Sequence, residues 1–530
     1  MAKELIFGEE SREVLARGVK KLATAIRGTL GPRGKAVVFE RGTPIFSLDG
    51  VTILKQIFLS DEAENMGAQL ARTVAEEKDR EAGDGTTTAT ILVDSILTQG
   101  LRALSAGVDH TRMKKGMDEA LTIAKKAVRT LSKPIKNSKE VVNVATISSR
   151  DPEIGKMVAD IFHKLGKDAI VSVEEGKTIG LHTEIVEGMK LNKGFISPYF
   201  MTDPTRGEAV IEKANILLTT QIISMNQDIV KILEGVFSRK DPRTLVIIAN
   251  DVKGEALPTL IINKLQGRLL SVAVKTPGMA EDRMEHLKDI AALTGATVIS
   301  EETGTKAEDA SLDDLGFADR VVITADHTII IGGHGKKKEM AKRIAYLKSS
   351  IDRETSEYEK TLKKERLAKL KGGVAVIKAG TISEAENMEL RYRIEDAVRS
   401  AKSAIEEGVV PGGGMALWEA AKEIEKRIAK ESDLSYRTGL TIVAEAIREP
   451  ARQIIENAGG EANVVLAQTN KNLGYNSALG EYQNLLTSGV IDPAKVVRVA
   501  LENAVSIASM FLITTAVIIN EKPKEEEKKP

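Results

Sequence analysis

Cysteine is absent from all 530 residues. Disulfides and thiolate-held metals are therefore excluded. Aromatic residues are scarce, at 3% of the chain, so any local cluster of them stands out. Charge of one sign is missing too: 76 Lys and Arg balance 76 Asp and Glu. A nucleic-acid binder carries a basic excess, and this chain has none. The six histidines, at 110, 163, 182, 286, 327 and 334, form no ligand-spaced pair, which speaks against a histidine-held metal. No Gly-x-Ser-x-Gly nucleophile elbow occurs, and the Gly83-Asp84-Gly85 stretch is not a Walker A loop, because no Gly-Lys-Ser/Thr follows it. The longest apolar run, Ala504 to Ile519, is interrupted by Ser506, Ser509, Thr514 and Thr515. It falls short of the roughly 20 residues that span a bilayer. A buried helix running into a β-branched strand, Thr514 to Ile519, is expected instead. The opening Met1-Ala2-Lys3-Glu4-Leu5 has no apolar signal core, which points to a cytoplasmic protein without membrane or nucleic-acid partners.

What is present suggests a multi-domain chain, because 530 residues exceed one ordinary core. Val14, Leu15, Val19, Leu22, Ala23 and Ile26 mark a helix from near Ser11. The cluster Gly28-Thr29-Leu30-Gly31-Pro32-Arg33-Gly34 ends it. A strand at Ala36 to Phe39 and a turn at Ser47-Leu48-Asp49-Gly50 follow. Helices dominate from Asn65 to Leu131, and Pro134 closes that block. Further strands are expected at 169–173, 245–249, 269–274, 297–300 and 374–377, and helices at 255–265 and 284–293. Strand–helix–strand order implies a small α/β insert with parallel pairing. It has no glycine-rich dinucleotide fingerprint. A charged helical stretch spans 339–371, and a long helix, 383–407, carries Asp396. Helical segments close the chain before a charged tail, 521–530, which composition marks as disordered.

One loop carries the chemistry. Gly83-Asp84-Gly85-Thr86-Thr87-Thr88-Ala89-Thr90 opens directly into an apolar helix. Such a helix start offers unpaired N–H groups and a positive dipole end, which suit a phosphate. Asp84 would repel that phosphate unless a hard cation such as Mg²⁺ lies between them. The same residue types also serve as ordinary helix caps. Asp49 and Asp396 sit near similar turns, and carboxylates around a metal-bound phosphate would fit a nucleotide triphosphatase. From spacing alone, a turn role for Asp49 and a surface-helix role for Asp396 are the favoured explanations. In the insert, the segment 228–237 and the helix after Gly254 carry more apolar residues than one core-facing stripe requires. Either both sides are buried, or an apolar surface is left open for other proteins. Phe195, Tyr199 and Phe200 cluster just upstream.

These stretches, in this order, resemble the GroEL-type (group I) chaperonins over residues 3 to about 520. The resemblance rests on Thr29-Leu30-Gly31-Pro32, Glu64-Asn65-Met66-Gly67-Ala68-Gln69, and Ala82 to Thr90. It continues through Val186-Glu187-Gly188-Met189, Ser197-Pro198-Tyr199-Phe200, Gly254-Glu255-Ala256-Leu257 and Gly372 to Ile377. Glu406-Glu407-Gly408-Val409-Val410 and Gly474-Tyr475-Asn476 complete it. It implies a mostly α equatorial ATPase domain (1–133 and 408–530), a small α/β intermediate domain (134–187 and 374–407) and an α/β apical domain (188–373). It further implies two stacked seven-membered rings, unfolded polypeptide clients, a GroES-type lid, and ATP with Mg²⁺, and K⁺ as a further cation. Carried over by position, Thr29, Leu30, Gly31 and Pro32 contact nucleotide, as do Leu48, Gly413, Asn476, Ser477, Ala478 and Asp492. Asp84 is the Mg²⁺ ligand, and Gly85, Thr86, Thr87 and Thr88 cradle phosphate. Asp396 and Asp49 are the catalytic carboxylates. Phe195, Tyr199, Phe200, Val230, Leu233, Leu257, Ile261 and Ile262 form the apolar groove for client and lid.

The chain departs from that pattern in places. Leu48 replaces a polar residue beside Asp49. The loop Thr276 to Arg283 lacks Pro-Gly-Phe-Gly, and Pro411 precedes the glycine triplet. Pro258 falls in the first turn of a groove helix, where proline is tolerated. The tail is Lys/Glu-rich. These departures suggest a divergent paralogue. They motivate an alternative expectation, an ATP-insensitive holdase that keeps the fold without the cycle.

Overall fold

The structure is a computed structural model describing residues 3–41, 43–82, 85–167, 169–176, 178–204, 206–238, 243–278, 281–381, 383–470 and 473–520. The chain folds into two compact units, mostly helical with one large mixed sheet. The first comprises Met1–Lys167, Glu175–Gly180 and Ala379–Pro530; the second comprises Asp168–Glu174 and Leu181–Lys378.

The first unit is a helical assembly drawn from both ends of the chain. Helix Gly8–Arg27 begins three residues before the expected Ser11, and its six stripe residues are all buried. Ser11 lies inside that helix, its hydroxyl donating to the Gly8 carbonyl at 2.7 Å. The stripe packs with Thr86–Ser105, His110–Leu131, Met415–Ile428, Leu434–Ala446 and Ala494–Leu512 around one core. Glycine sets the closest approach between two of these helices. A β-carbon on Gly116 would overlap the Tyr436 carbonyl, and one on Gly439 would overlap the Met113 carbonyl. A glycine inside a helix costs roughly 0.5–1 kcal/mol relative to alanine, and here it lets the two backbones meet. The apolar run near the C-terminus resolves as a helix ending at Leu512 and a strand, Ala516–Asn520. That strand pairs antiparallel with Lys3–Phe7, Lys3 opposite Asn520 and Phe7 opposite Ala516. Among the described residues no helix is long and apolar enough to cross a membrane.

The second unit is organised on a nine-stranded sheet. Its parallel part joins Leu270–Lys275 to Thr244–Ala249, and that strand to Ala209–Thr219, with Val298–Ile299 on the other side. Thr244–Ala249 is buried at every residue, as a parallel strand covered on both faces should be. Helices Ala256–Leu265 and Glu281–Thr294 make the crossovers, so the expected strand–helix alternation is present. The antiparallel part, through Gly316–Ile323, Thr328–Gly333 and Gly180–Leu191, continues the sheet.

Three helices of this unit are fastened by charge. Asp289, on Glu281–Thr294, is 1% exposed. Its two oxygens accept from Arg343 Nε on Lys337–Arg353 and Arg366 Nε on Glu357–Lys371, each at 2.7 Å. Both arginines also reach Glu285. Burial would raise the Glu285 carboxyl, but the Arg343 hydrogen bond and charge outweigh it and hold the group at about 2.

The segments expected to form an intermediate domain are divided between the units. Helices Ser138–Ser149, Pro152–Leu165 and Glu384–Glu407 fall in the first; strand Ile170–Glu175 begins in the second.

Candidate functional site

In the first unit, the helix Thr86–Ser105 begins at Gly85, whose φ of 93° and ψ of 4° are left-handed. A β-carbon there would be strained and would approach Val496 Cγ1 to 2.9 Å. Gly85 supplies no side-chain cap, and the first turn of the helix carries no acid. A helix start of this kind, with its positive dipole end, suits a phosphate. Thr86 is buried, while Thr87 and Thr88 are half-buried. Gly83 and Asp84 lie outside the described residues, so the structure neither places nor tests the expected metal ligand. Among the described residues, no group of three or more His, Asp or Glu side chains could hold a metal by itself.

Thr87 Oγ1 lies against Gly50, where a β-carbon would overlap it. Gly50 opens the short helix Gly50–Gln56, which Asp49 caps by accepting from Val51 N at 3.3 Å and Thr52 N at 2.7 Å. Asp49 is therefore at the phosphate-type helix start, and its neighbour Leu48 is half-buried. Next to it is a residue that sequence reasoning missed. Glu389, on the helix Glu384–Glu407, accepts from Ser47 Oγ at 3.3 Å. Burial first, then the nearby Asp49 charge, push its carboxyl up, against the pull of Arg393 and Arg150. Asp396 follows Glu389 by seven residues, two helical turns, and so shares its face. Its carboxylate accepts from Arg399 Nη2 at 2.6 Å.

Arg150 ties this group to the Thr29 turn. It has a left-handed φ of 57°, uncommon outside glycine and Asn/Asp. Its Nη2 donates to the Thr29 carbonyl at 2.9 Å. Thr29 is buried, Leu30 and Gly31 are half-buried and Pro32 is exposed. Asn457 holds the turn by donating to the carbonyls of Arg27 and Leu30 at 2.9 and 2.8 Å. Arg33 then reaches the Ala478 carbonyl at 3.1 Å, bringing in the second expected nucleotide turn. There Asn476 accepts from the Ala478 N–H at 3.0 Å. Ser477 Oγ is buried without a hydrogen-bond partner, a polar atom suited to an external polar group.

Asp492 and Gly413 join the same neighbourhood. A β-carbon on Gly412 would lie 3.1 Å from Asp492 Oδ1, and one on Gly413 would lie 3.9 Å from the Tyr475 carbonyl. Val410 and Asp492 are paired in the ribbon of Val409–Pro411 and Ile491–Pro493. The Gly85 helix start and Ser477 Oγ, which is buried with no hydrogen-bond partner among the described residues, therefore stand among residues whose chemistry fits a nucleotide.

A different surface occurs in the second unit. Helices Gln227–Ser238 and Ala256–Leu265 are linked by Thr259 Oγ1 donating to Asn226 Oδ1 at 2.7 Å. Lys264 Nζ donates to the Met201 carbonyl at 2.6 Å, which ties the second helix to the turn Pro198–Phe200. Their apolar excess is not wholly buried: Tyr199 is 67%, Val230 46%, Ile262 51% and Leu265 64% exposed. Phe195, Leu257 and Ile261 are half-buried. Phe200 and Leu233 differ from the groove expectation, because both are core residues at 0% and 6% exposure. The three-residue turn buries Phe200, and the helix Gln227–Ser238 buries Leu233 together with Ile229, Ile232 and Val236, which local composition does not reveal.

A model of the TCP-1/cpn60 chaperonin family matches residues 22–522. Among solved structures, the chain is similar to the chaperonin gp146 of bacteriophage EL 2 (Pseudomonas aeruginosa), crystallised in the presence of ATP-BeFx. The TM-score is 0.70 in crystal form II, at 18% identity, covering 98% of this chain and 99% of that one. Crystal form I of the same protein gives a TM-score of 0.63 at the same identity and coverage.

Proposed function

The chain belongs to the TCP-1/cpn60 chaperonin family, and on that premise we propose that it is an ATP-driven chaperonin enclosing non-native polypeptides. The observation that supports this reading is the acid-free helix start at the left-handed Gly85, beside Asp49 and the helix face carrying Glu389 and Asp396. Bound ATP would direct its phosphates at the N–H groups of Thr86, Thr87 and Thr88, where the helix dipole favours negative charge. The turn Thr29–Pro32, Leu48, Gly413, Asn476–Ala478 and Asp492 would hold base and ribose. Asp84 would hold Mg²⁺, which supplies neutralisation of the phosphate charge; K⁺ is a further expected cation. Asp49 would orient the attacking water and Asp396 would take its proton. The exposed apolar residues of the second unit would bind unfolded chains and release them to a GroES-type lid, in two stacked seven-membered rings. The division into equatorial, intermediate and apical domains is part of this proposal.

Steady-state ATP hydrolysis with Mg²⁺, with and without a GroES-type partner, tests it. Wild type is expected to turn over ATP at a rate the partner alters. Asp396→Ala is expected to abolish turnover while sparing equilibrium ATP binding; unchanged hydrolysis by that variant would sink the role given to Asp396.

A holdase without the cycle is favoured by one observation: the Asp396 carboxylate is already engaged by Arg399. If wild type prevents aggregation without ATP and hydrolyses none, that second reading holds. Recovery of hydrolysis in Arg399→Ala would then locate the block at this ion pair.

A further inference from the structure

The second unit contains a cavity of about 160 Å³ that no part of the proposed cycle uses. Its wall is basic: Lys190, Lys193, His286, Arg366 and Lys369 line it, and Asp289 is the one acid among the described lining residues. Asp289 pairs with Arg366 and with Arg343 outside the wall, so it does not balance the lysines. Arg366 is more than nine-tenths buried, with its side chain 8% exposed. It donates through Nε to Asp289 and through Nη2 to Glu285. Its guanidinium therefore brings a fixed, planar cation to the cavity wall. Lys193 and Lys369 form no ion pair with any described residue, and both line the same space. His286 contributes no positive charge at neutral pH, because burial and then the Arg366 charge push its imidazole down. Its ring can still donate one hydrogen bond.

We propose that this cavity is a binding site for a small oxyanion of the phosphate class, held by the ammonium groups of Lys193 and Lys369 beside the Arg366 guanidinium. Guanidinium and ammonium donors converging on a confined space favour a compact, multiply charged acceptor. The volume suits inorganic phosphate or a small phosphate monoester, and excludes a folded partner. The site is separate from the nucleotide site in sequence, in unit and in residues.

The test is titration calorimetry of the full-length protein with inorganic phosphate, in the absence of nucleotide. Lys193→Gln/Lys369→Gln is the variant of choice, because neither lysine supports the Asp289 bridge. Loss of two charge-assisted donors should weaken phosphate binding at this site at least about tenfold. Phosphate binding at the nucleotide site, and ATP hydrolysis, should not change. Arg366→Lys is a second variant, which keeps the charge and loses the planar fork; it should also weaken binding. A parallel titration with glycerol phosphate separates free from esterified phosphate: comparable affinity assigns the site to either source, and tighter binding of one assigns it to that one. Equal isotherms for wild type and the double lysine variant would overturn the proposal, as would no binding to wild type at millimolar phosphate.

Discussion

Glu389 is held where a carboxylate is unwelcome. It is half-buried, it faces Asp49, and its one hydroxyl donor, Ser47, is 3.3 Å away. A carboxyl whose folded value is raised stabilises the fold while it is protonated. That contribution is complete below the ordinary carboxylate range and is lost as pH rises through the raised value. Glu389→Gln keeps the shape and removes the charge. It should melt higher than wild type at pH 7, with the gap closing at acid pH; scanning calorimetry at several pH values reads this directly. A lower melting temperature at pH 7 would mean that the Asp49–Glu389 repulsion is already offset by Arg393 and Arg150. Glu389 was legible in principle, two turns before Asp396 on one helix. Other parts of the site were not. Arg33 and Ala478 meet across 445 residues of sequence, and nothing in local spacing announces that contact; only the ordered motifs of the family resemblance brought both turns into view.

Among the elements, the parallel strands were the easiest to read, because a strand buried on both faces is a continuous apolar run, as in Leu245 to Ala249. The helix Gly8–Arg27 was legible for the complementary reason, a clean stripe on one side. The antiparallel strands Gly316–Ile323 and Thr328–Gly333 were not foreseen. Their pairing depends on Ala209–Thr219 for the first and Gly180–Leu191 for the second, each more than a hundred residues earlier, so nothing in local sequence announces it. The charged stretch 339–371 reads as solvated helix, yet two of its arginines are buried on Asp289. Asp289→Ala would leave both guanidinium groups without their shared partner. The expected cost is about 3–5 kcal/mol, read as a lower midpoint in urea unfolding with unchanged slope. A loss below about 1 kcal/mol would show that Glu285 alone suffices to hold the three helices.

At the level of the whole molecule, the two units differ in how the chain supplies them. Nearly all of the second comes from one continuous stretch, Leu181–Lys378, with a core of its own. Expressed alone, residues 181–378 should fold and melt cooperatively by circular dichroism. Residues 1–167 alone should not, because their core is completed by Leu440, Val443, Leu501 and Val505. A cooperative melt for the N-terminal fragment would contradict this assignment of the core.

The pairing of Lys3–Phe7 with Ala516–Asn520 has a consequence for biogenesis. Lys3 is synthesised 517 residues before its partner Asn520. The strand Lys3–Phe7 must therefore stay unpaired while all of the chain between the two is made. The stretch between them encodes a unit that can be finished during synthesis, while the first unit closes only once Ala516–Asn520 has been made. A truncated product that stops short of residue 516 would carry the exposed apolar residues of the second unit without a closed first unit.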